Sequence, residues 1–107
     1  MQSISPEIIF RGNYAWEKSL PQITKLTQSP LILGRGTQTT NLRNKIYIDL
    51  KNQNLDVNFG NLQFDCCYED VLRLKNIILR NNHDSVIAAG GGKVLDCGKY
   101  LADCLNI

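Results

Sequence analysis

The chain has 107 residues, of which 43% are hydrophobic, with 12 basic and 10 acidic side chains. This balance is typical of one globular domain and excludes a wholly disordered chain, a collagen-like chain and a disulfide-rich mini-protein. The basic residues are scattered and no apolar run reaches bilayer length, so composition indicates neither nucleic acid nor a membrane as a partner. The N-terminus lacks the pattern of a secretory signal, and we expect a cytoplasmic protein with reduced cysteines.

The first half of the chain predicts two strands, each followed by a helix. Residues 8–10 form the first strand, and the second, at residues 31–33, is bounded by Pro30 and Gly34. The apolar stripe of the first helix consists of Trp16, Leu20, Ile23 and Leu26. The stripe of the second helix consists of Leu42, Ile46 and Leu50. Pro21 is expected to start or kink the first helix rather than to lie inside it, because its ring removes a backbone donor.

The second half of the chain repeats this alternation. Residues 55–59 alternate apolar and polar side chains as a third strand, and residues 86–89 form a small apolar fourth strand. The third helix carries a stripe of Val71, Leu74 and Ile78, widened by Leu72 and Ile77. The stripe of the fourth helix consists of Val94, Gly98, Leu101 and Leu105. Cys67 is at the N-cap position of the third helix, where Glu69 and Asp70 suit the helix dipole. The order βαβαβαβα predicts a three-layer α/β/α fold with a parallel sheet.

Three consecutive glycines, Gly90, Gly91 and Gly92, separate the fourth strand from the fourth helix. In open α/β sheets ligands bind beyond the carboxyl ends of the strands, and glycines there let backbone N–H groups approach a phosphate. The helix N-terminus favours an anion. Lys93 can add a positive charge, and Asp96 can accept from a ligand amide or cap the helix. The alternative interpretation is a tight turn whose glycines only permit close packing.

Two standard nucleotide-binding fingerprints are matched only in part. The Walker A pattern requires a hydroxyl residue after its lysine, but Val94 follows Lys93. Residues 34–39 match the Rossmann pattern without its third glycine. Asp56 lies at the distance expected for the ribose-binding acid, but near the start of the third strand. Neither fingerprint therefore predicts a standard P-loop or Rossmann site.

Three segments of the chain resemble the iron-containing (group III) alcohol dehydrogenases, and in particular their glycerol dehydrogenase branch. Residues 84–107, DSVIAAGGGKVLDCGKYLADCLNI, are similar to the family's strand, glycine turn and helix. The family's charged positions in this segment are matched by Lys93, Asp96 and Lys99. Residues 6–15 resemble the family's Pro-x-x-Tyr-x-x-Gly-x-x-Ala, with Ile9 at the Tyr position. Residues 65–74 resemble its Glu-Cys-Ser-x-x-Glu-Ile-x-Arg-Leu.

The resemblance implies that residues 1–107 are the N-terminal part of an incomplete Rossmann-like dinucleotide-binding domain. In the family the glycine turn binds the pyrophosphate of NAD(P), and the positions of Lys93 and Asp96 lie near the nicotinamide side. The C-terminal helical domain, with the Asp and His ligands of a Zn or Fe ion, belongs to later segments. We therefore expect neither catalytic residues nor metal ligands here, and no turnover by this chain alone.

The implied activity is hydride transfer between an alcohol or polyol and NAD(P), with the metal polarising the alcohol oxygen. A homo-oligomer is compatible with this assignment. As part of a longer protein, the isolated chain is expected to expose an apolar face or a sheet edge and to self-associate. Two alternatives stay open: a relative of dehydroquinate synthase or glycerol-1-phosphate dehydrogenase, and a catalytically inactive nucleotide-binding or interaction module.

Arg35 indicates which dinucleotide is preferred. In NAD-using relatives an Asp follows the strand that corresponds to residues 31–34 and binds both ribose hydroxyls, and here Arg35 stands at or near that position. An acid repels a 2′-phosphate, whereas an arginine pairs with it through a planar fork of donors. Thr37 adds a hydroxyl donor, so the sequence predicts NADP over NAD. The alternative is that Arg35 is a solvated loop residue.

Three other residue types have mainly structural interpretations. His83, the only histidine, lies in a polar turn and is expected at the surface. The four cysteines lack Cys-x-x-Cys spacing and predict no zinc site, and Cys97 and Cys104 are expected to face the core. Trp16 is in phase with the first helical stripe and is expected in the core rather than in a stacking platform with Tyr14.

Overall fold

The computed structural model describes residues 13–37, 39–63 and 68–105, in which four helices alternate with three strands. The helices are α1 (Asn13–Leu26), α2 (Thr40–Asn52), α3 (Tyr68–Asn81) and α4 (Gly92–Leu105). The strands are β1 (Pro30–Arg35), β2 (Asn58–Leu62) and β3 (Ser85–Ala88). The strand predicted at 8–10, the N-cap predicted at Cys67 and the side chain of Tyr14 lie outside the described residues. No helix in the described ranges has the length and hydrophobicity needed to cross a membrane.

The three strands form a parallel sheet in the order β2-β1-β3, which confirms the predicted α/β fold. β1 is the central strand, and five of its six residues are buried. Its Leu31 pairs with Asn58 of β2, and its Leu33 pairs with Ala88 of β3. A strand with hydrogen-bonded neighbours on both edges and helices on both faces must be apolar throughout, which is why β1 reads as a continuous hydrophobic run.

Two separate hydrophobic clusters cover the two faces of the sheet and give the predicted three layers. Ile32 of β1 faces the first cluster, and Leu31 and Leu33 face the second, because alternate side chains of a strand point to opposite faces. Helices α1 and α2 contribute to the first cluster Trp16, Ile23, Ile46 and Leu50. Helices α3 and α4 contribute to the second Leu74, Ile78, Val94, Cys97 and Leu101.

Trp16 is fully buried, as predicted, and its indole Nε1 donates a hydrogen bond to Asp49 Oδ2 at 2.8 Å. This bond joins α1 to α2 and satisfies the one polar atom of a large core side chain. Cys97 is buried, as predicted, but Cys104 is exposed, which contradicts the prediction that it faces the core. The 14 residues of α4 span about 21 Å, whereas the four residues of β3 span about 13 Å, so the last turn of α4 extends past the strand.

Three further predictions about the helices are wrong. Pro21 lies inside α1 rather than at its start; it is exposed, and its missing N–H removes only one helical hydrogen bond. Leu26 is 53% exposed, because α1 ends there and the following Thr27 is the buried residue. Leu72 is exposed because the buried stripe of α3 runs through Asp70 and Leu74, and Leu72 lies half a turn from both.

Helices α2 and α3 end in the same way. An asparagine with positive φ lies two residues after α2, at Asn54 (φ 64°), and directly after α3, at Asn82 (φ 56°). The N–H of the next residue then bonds to a carbonyl five positions earlier, from Leu55 to Leu50 and from His83 to Ile78. This is the Schellman pattern, in which the residue after the left-handed one packs back against the helix.

The Schellman ends account for two predictions that the structure contradicts. The third strand begins at Asn58 rather than at residue 55, because the Leu55 N–H bonds to α2 and the Asp56 N–H bonds to Gln28 O. His83 is 4% exposed rather than a surface residue, because it occupies the buried position that Leu55 has after α2. Its Nδ1 lies 3.0 Å from the carbonyl oxygen of Ser29.

Candidate functional site at the carboxyl edge of the sheet

Strands β1 and β3 are neighbours, but the helices that follow them cover opposite faces of the sheet. Helix α2 follows β1 and packs in the first cluster, whereas α4 follows β3 and packs in the second. The two connections therefore diverge and leave a crevice between the carboxyl ends of β1 and β3. Such a topological switch point is where open α/β sheets bind their ligands.

Of the three glycines that follow β3, only Gly90 is required by packing within the chain. A Cβ on Gly90 would lie 2.9 Å from Val94 Cγ2, so the turn into α4 would have to shift. Gly91 and Gly92 have no positive φ, and a Cβ on either would have no atom within 4 Å. Close packing therefore explains one glycine of the three, and the other two leave open space beside the backbone.

The first turn of α4 lies beside that open space. The N–H of Leu95 bonds to the Gly91 carbonyl at 3.1 Å, and the preceding N–H groups at the helix start have no acceptor within the helix. Lys93 and Asp96 are both exposed in the first two turns. Gly98 lets α4 approach β3 closely, since a Cβ there would lie 3.1 Å from Ala88 Cβ. The result is a helix N-terminus held against the end of β3.

The other predicted site residues lie at the end of the neighbouring strand. β1 continues through Gly34 and ends at Arg35, which is half-buried, and Thr37 is exposed in the turn that follows. In the β1–β3 register the last pair is Leu33 with Ala88, so Arg35 and Gly90 each lie two residues beyond it. The fold thus brings the glycine turn and the Arg35–Thr37 segment to one edge, on adjacent strands.

Thr39, which the sequence analysis did not single out, joins the two turns. Its hydroxyl donates a hydrogen bond of 3.0 Å to the carbonyl of Ala89, the residue directly before the three glycines. Its φ is 57°, a left-handed conformation that is unfavourable for a β-branched residue and costs about 1–3 kcal/mol. Thr39 keeps this unfavourable conformation and bonds across the crevice. It thereby fixes the turn after β1 relative to the turn after β3, as a ligand-binding site between them requires.

Arg43 is the second site residue that the sequence analysis missed. It is only 7% exposed, and its Nη2 donates to the Gly36 carbonyl at 2.7 Å. Gly34 makes room for it, since a Cβ there would lie 2.3 Å from Arg43 Cδ. Burial lowers the pKa of the guanidinium, but an arginine keeps its charge at neutral pH. Arg43 is in phase with Ile46 and Leu50, so helical periodicity already places it on the buried face of α2.

A cleft of about 190 Å³ opens beside Arg43, between the turn after β1 and Phe59 of β2. Its walls are formed by Gly36, Thr40, Arg43, Asn44 and Phe59. The cleft therefore adjoins the Arg35–Thr37 segment and combines a buried cation with an aromatic ring and a glycine.

Other residues considered from the sequence lie elsewhere. Asp56 is exposed and precedes β2, at the amino edge of the sheet. His83 precedes β3 at that same edge. In the ranges that the structure describes, no group of three or more His, Cys, Asp or Glu side chains is placed to hold a metal ion.

Comparison with known proteins places this architecture in a family. The sequence model for iron-containing alcohol dehydrogenases matches residues 6–107. The crystal structure of a probable glycerol dehydrogenase from Sinorhizobium meliloti 1021 has a similar fold, with a TM-score of 0.68 and 22% sequence identity over 84% of this chain. The chain spans 24% of the length of that structure. No curated protein matches significantly. Because the family model covers nearly all of its residues, the chain belongs to the iron-containing alcohol dehydrogenase family.

Proposed function

We propose that the carboxyl edge of this sheet binds NADP and that the chain is the cofactor-binding part of an alcohol or polyol dehydrogenase. The observation that carries the proposal is the open space at Gly91 and Gly92, next to the start of α4. A diphosphate can approach this backbone to hydrogen-bond distance because no Cβ intervenes, and the helix N-terminus supplies N–H donors and a partial positive charge. A turn that served only packing would need Gly90 alone.

In this proposal the pyrophosphate lies on Gly90, Gly91 and Gly92, and the adenosine half extends toward the end of β1. Arg35 and Thr37 bind the 2′-phosphate there. Charge-assisted hydrogen bonds contribute roughly 1.5–3 kcal/mol each, which corresponds to a preference for NADP over NAD of about tenfold to a hundredfold.

Lys93 and Asp96 are proposed to lie on the nicotinamide side, since both are exposed at the start of α4. The dinucleotide, when bound, supplies the hydride chemistry, and this chain's residues bind and orient it. The described residues do not fit a metal ion, so no step through a metal is assigned to them. The assignment of residues 1–107 to the N-terminal part of a dinucleotide-binding domain stays a prediction, as do turnover, substrate and assembly, because the chain spans only a quarter of the compared dehydrogenase.

Cofactor preference is tested by titrating NADP and NAD into the chain and its Arg35→Asp variant by calorimetry. The parent chain should bind NADP at least tenfold more tightly, and the variant should lose this preference because a carboxylate repels the 2′-phosphate. Equal affinities in the parent, or an unchanged ratio in the variant, would reject the role of Arg35.

The glycine turn is tested with Gly91→Ala. The added Cβ meets no protein atom, so the free energy of unfolding should stay the same or rise by about 0.4–1 kcal/mol, as is usual for Gly→Ala at a permitted conformation. Binding of either dinucleotide should nevertheless weaken at least tenfold, because the Cβ occupies the space proposed for the pyrophosphate.

The matched control is Gly90→Ala, whose Cβ would press on Val94. It should lower the free energy of unfolding by about 1–3 kcal/mol in urea denaturation. If Gly91→Ala binds both dinucleotides as the parent does, the glycine turn is not the diphosphate site.

A further inference from the structure

We propose that Arg43 is a positioning residue that sets the preference for the 2′-phosphate by holding the Arg35–Thr37 segment in one conformation; this inference rests on the proposed function. Arg43 belongs to α2, and its buried guanidinium reaches the carboxyl ends of both β1 and β2. Arg43 therefore acts on the Arg35–Thr37 segment through a hydrogen bond to its backbone and not through a contact with the phosphate.

The contact that carries the inference is the 2.7 Å hydrogen bond from Arg43 Nη2 to the carbonyl of Gly36. Gly36 lies between the two residues proposed to bind the 2′-phosphate. Its φ is 54°, and no atom lies within 4 Å of where its Cβ would be, so neither sterics nor packing restricts this residue. The bond from Arg43 restricts it instead, and with it the relative placement of Arg35 and Thr37.

The guanidinium is itself fixed by two weaker bonds. Nη1 donates to Asn61 Oδ1 at 3.4 Å, and Nη2 lies 3.5 Å from Thr40 Oγ1. A planar fork can reach acceptors on β2, on the β1–α2 turn and on α2 at once, whereas the single ammonium of a lysine cannot. Gly34 belongs to the same arrangement, because any side chain there would displace the Arg43 stem.

The principal variant is Arg43→Lys, which keeps the charge and most of the buried stem. Arg73→Lys is the matched control: Arg73 Nη2 donates to the Asn61 carbonyl and pairs with Asp70, at the end of β2 and away from the β1–α2 turn. For each variant we would measure the ratio of NAD to NADP dissociation constants and the amide hydrogen exchange of Gly36 and Thr37.

Arg43→Lys should reduce the NADP preference about tenfold, mainly by weakening NADP, and should speed exchange at both amides. Arg73→Lys should change neither quantity. Gly34→Ala, which displaces Arg43 without altering it, should reproduce the loss of preference.

Two results separate this inference from the proposed function. If Arg35→Asp abolishes the preference but Arg43→Lys leaves the ratio and the exchange rates unchanged, Arg43 has no positioning role. A fall in affinity for both dinucleotides by the same factor would also overturn the inference, because it indicates a purely structural role. If the parent chain binds neither dinucleotide, the proposed function and this inference both fail.

Discussion

Asp84 shows how single polar residues secure the amino edge of the sheet, opposite the candidate site. Three groups donate hydrogen bonds to its carboxylate: the Thr27 hydroxyl and the N–H groups of Gln28 and Ser29. Burial, the largest single influence, raises the pKa of Asp84, but its hydrogen bonds together hold that pKa below its ordinary value. Since these donors belong to the segment before β1 and Asp84 directly precedes β3, the carboxylate joins two neighbouring strands at their starts.

This geometry predicts a pH dependence of stability. A carboxyl whose pKa is lower in the folded than in the unfolded state stabilises the fold above its unfolded pKa of about 3.9, and this contribution is lost as the pH falls toward the folded value. Asp84→Asn should therefore be less stable than the parent at pH 6, and the difference should narrow below about pH 4. Urea denaturation across this range measures it.

Asp56→Asn is the control, because Asp56 has the same position after α2, whereas none of the hydrogen bonds among the described residues involves its carboxylate. Its difference from the parent should be small at every pH. If the stability difference between the parent and Asp84→Asn is the same at pH 3 and pH 6, the carboxylate is not the group that the hydrogen bonds stabilise.

Residue type alone misled the sequence analysis where a helix end or a close approach decides burial. His83 was predicted at the surface because histidine follows two asparagines, yet the Schellman end of α3 turns it inward. Arg43 is charged, yet its phase with Ile46 in α2 places it on the buried face. In both cases position in the element outweighed side-chain polarity.

At the scale of elements, hydrophobic periodicity predicted the four helices and the central strand, because their stripes face a sheet that runs alongside them. It predicted boundaries less well. The third strand was expected from residue 55, but hydrogen bonds to β1 begin only at Asn58. Alternation of apolar residues indicates burial, and Leu55 and Val57 are indeed buried. A residue buried just before a strand cannot be distinguished in sequence from one buried within it, so the alternation does not show where the strand begins.

The asparagine ends of α2 and α3 make a testable prediction. Asn82 has φ 56°, a conformation that costs an alanine about 1–2 kcal/mol more than a glycine. Asn82→Ala should lower the free energy of unfolding by about 1 kcal/mol, whereas Asn82→Gly should leave it nearly unchanged, as measured by urea denaturation.

Asn81→Ala, one residue earlier and still within α3, is the comparison. Alanine is favoured in a helix, so its effect should be neutral or slightly stabilising. Should Asn82→Ala prove as stable as Asn82→Gly, the left-handed conformation does not limit the stability of this helix end.

At the scale of the whole molecule, alternating strands and helices predicted the fold class but not which strands adjoin. The site depends on that order, because β1 and β3 are neighbours in the observed arrangement β2-β1-β3 and would not be in the order β1-β2-β3. Sequence motif and family resemblance indicate the glycine turn and Arg35, and the sheet order places them at the ends of adjacent strands. Thr39 acts through a contact with Ala89, 50 residues away along the chain, which no local pattern reveals. The periodicity of α2 shows that Arg43 is buried, but not that it bonds to Gly36.

The open edge of β3 predicts that copies of the chain self-associate. β3 pairs with β1 on one edge, and no other described strand pairs with its second edge; Val86 and Ala88 remain half-exposed. An apolar strand with an open edge favours strand pairing between copies, and Tyr68 and Leu79 add exposed apolar surface on α3. Sedimentation analysis should show concentration-dependent self-association; a monomer at high concentration that binds no hydrophobic dye would contradict the prediction.

The bond from Thr39 to the Ala89 carbonyl has a consequence for how a two-part ligand would bind. Because this bond ties the turn after β1 to the turn after β3, ordering one turn lowers the entropic cost of ordering the other. Under the proposed function, the adenosine and pyrophosphate parts of the cofactor would bind with positive cooperativity. A nucleotide fragment that fills only the end of β1 would prepare the glycine turn for the rest of the molecule, and Thr39 would transmit that coupling between the two halves.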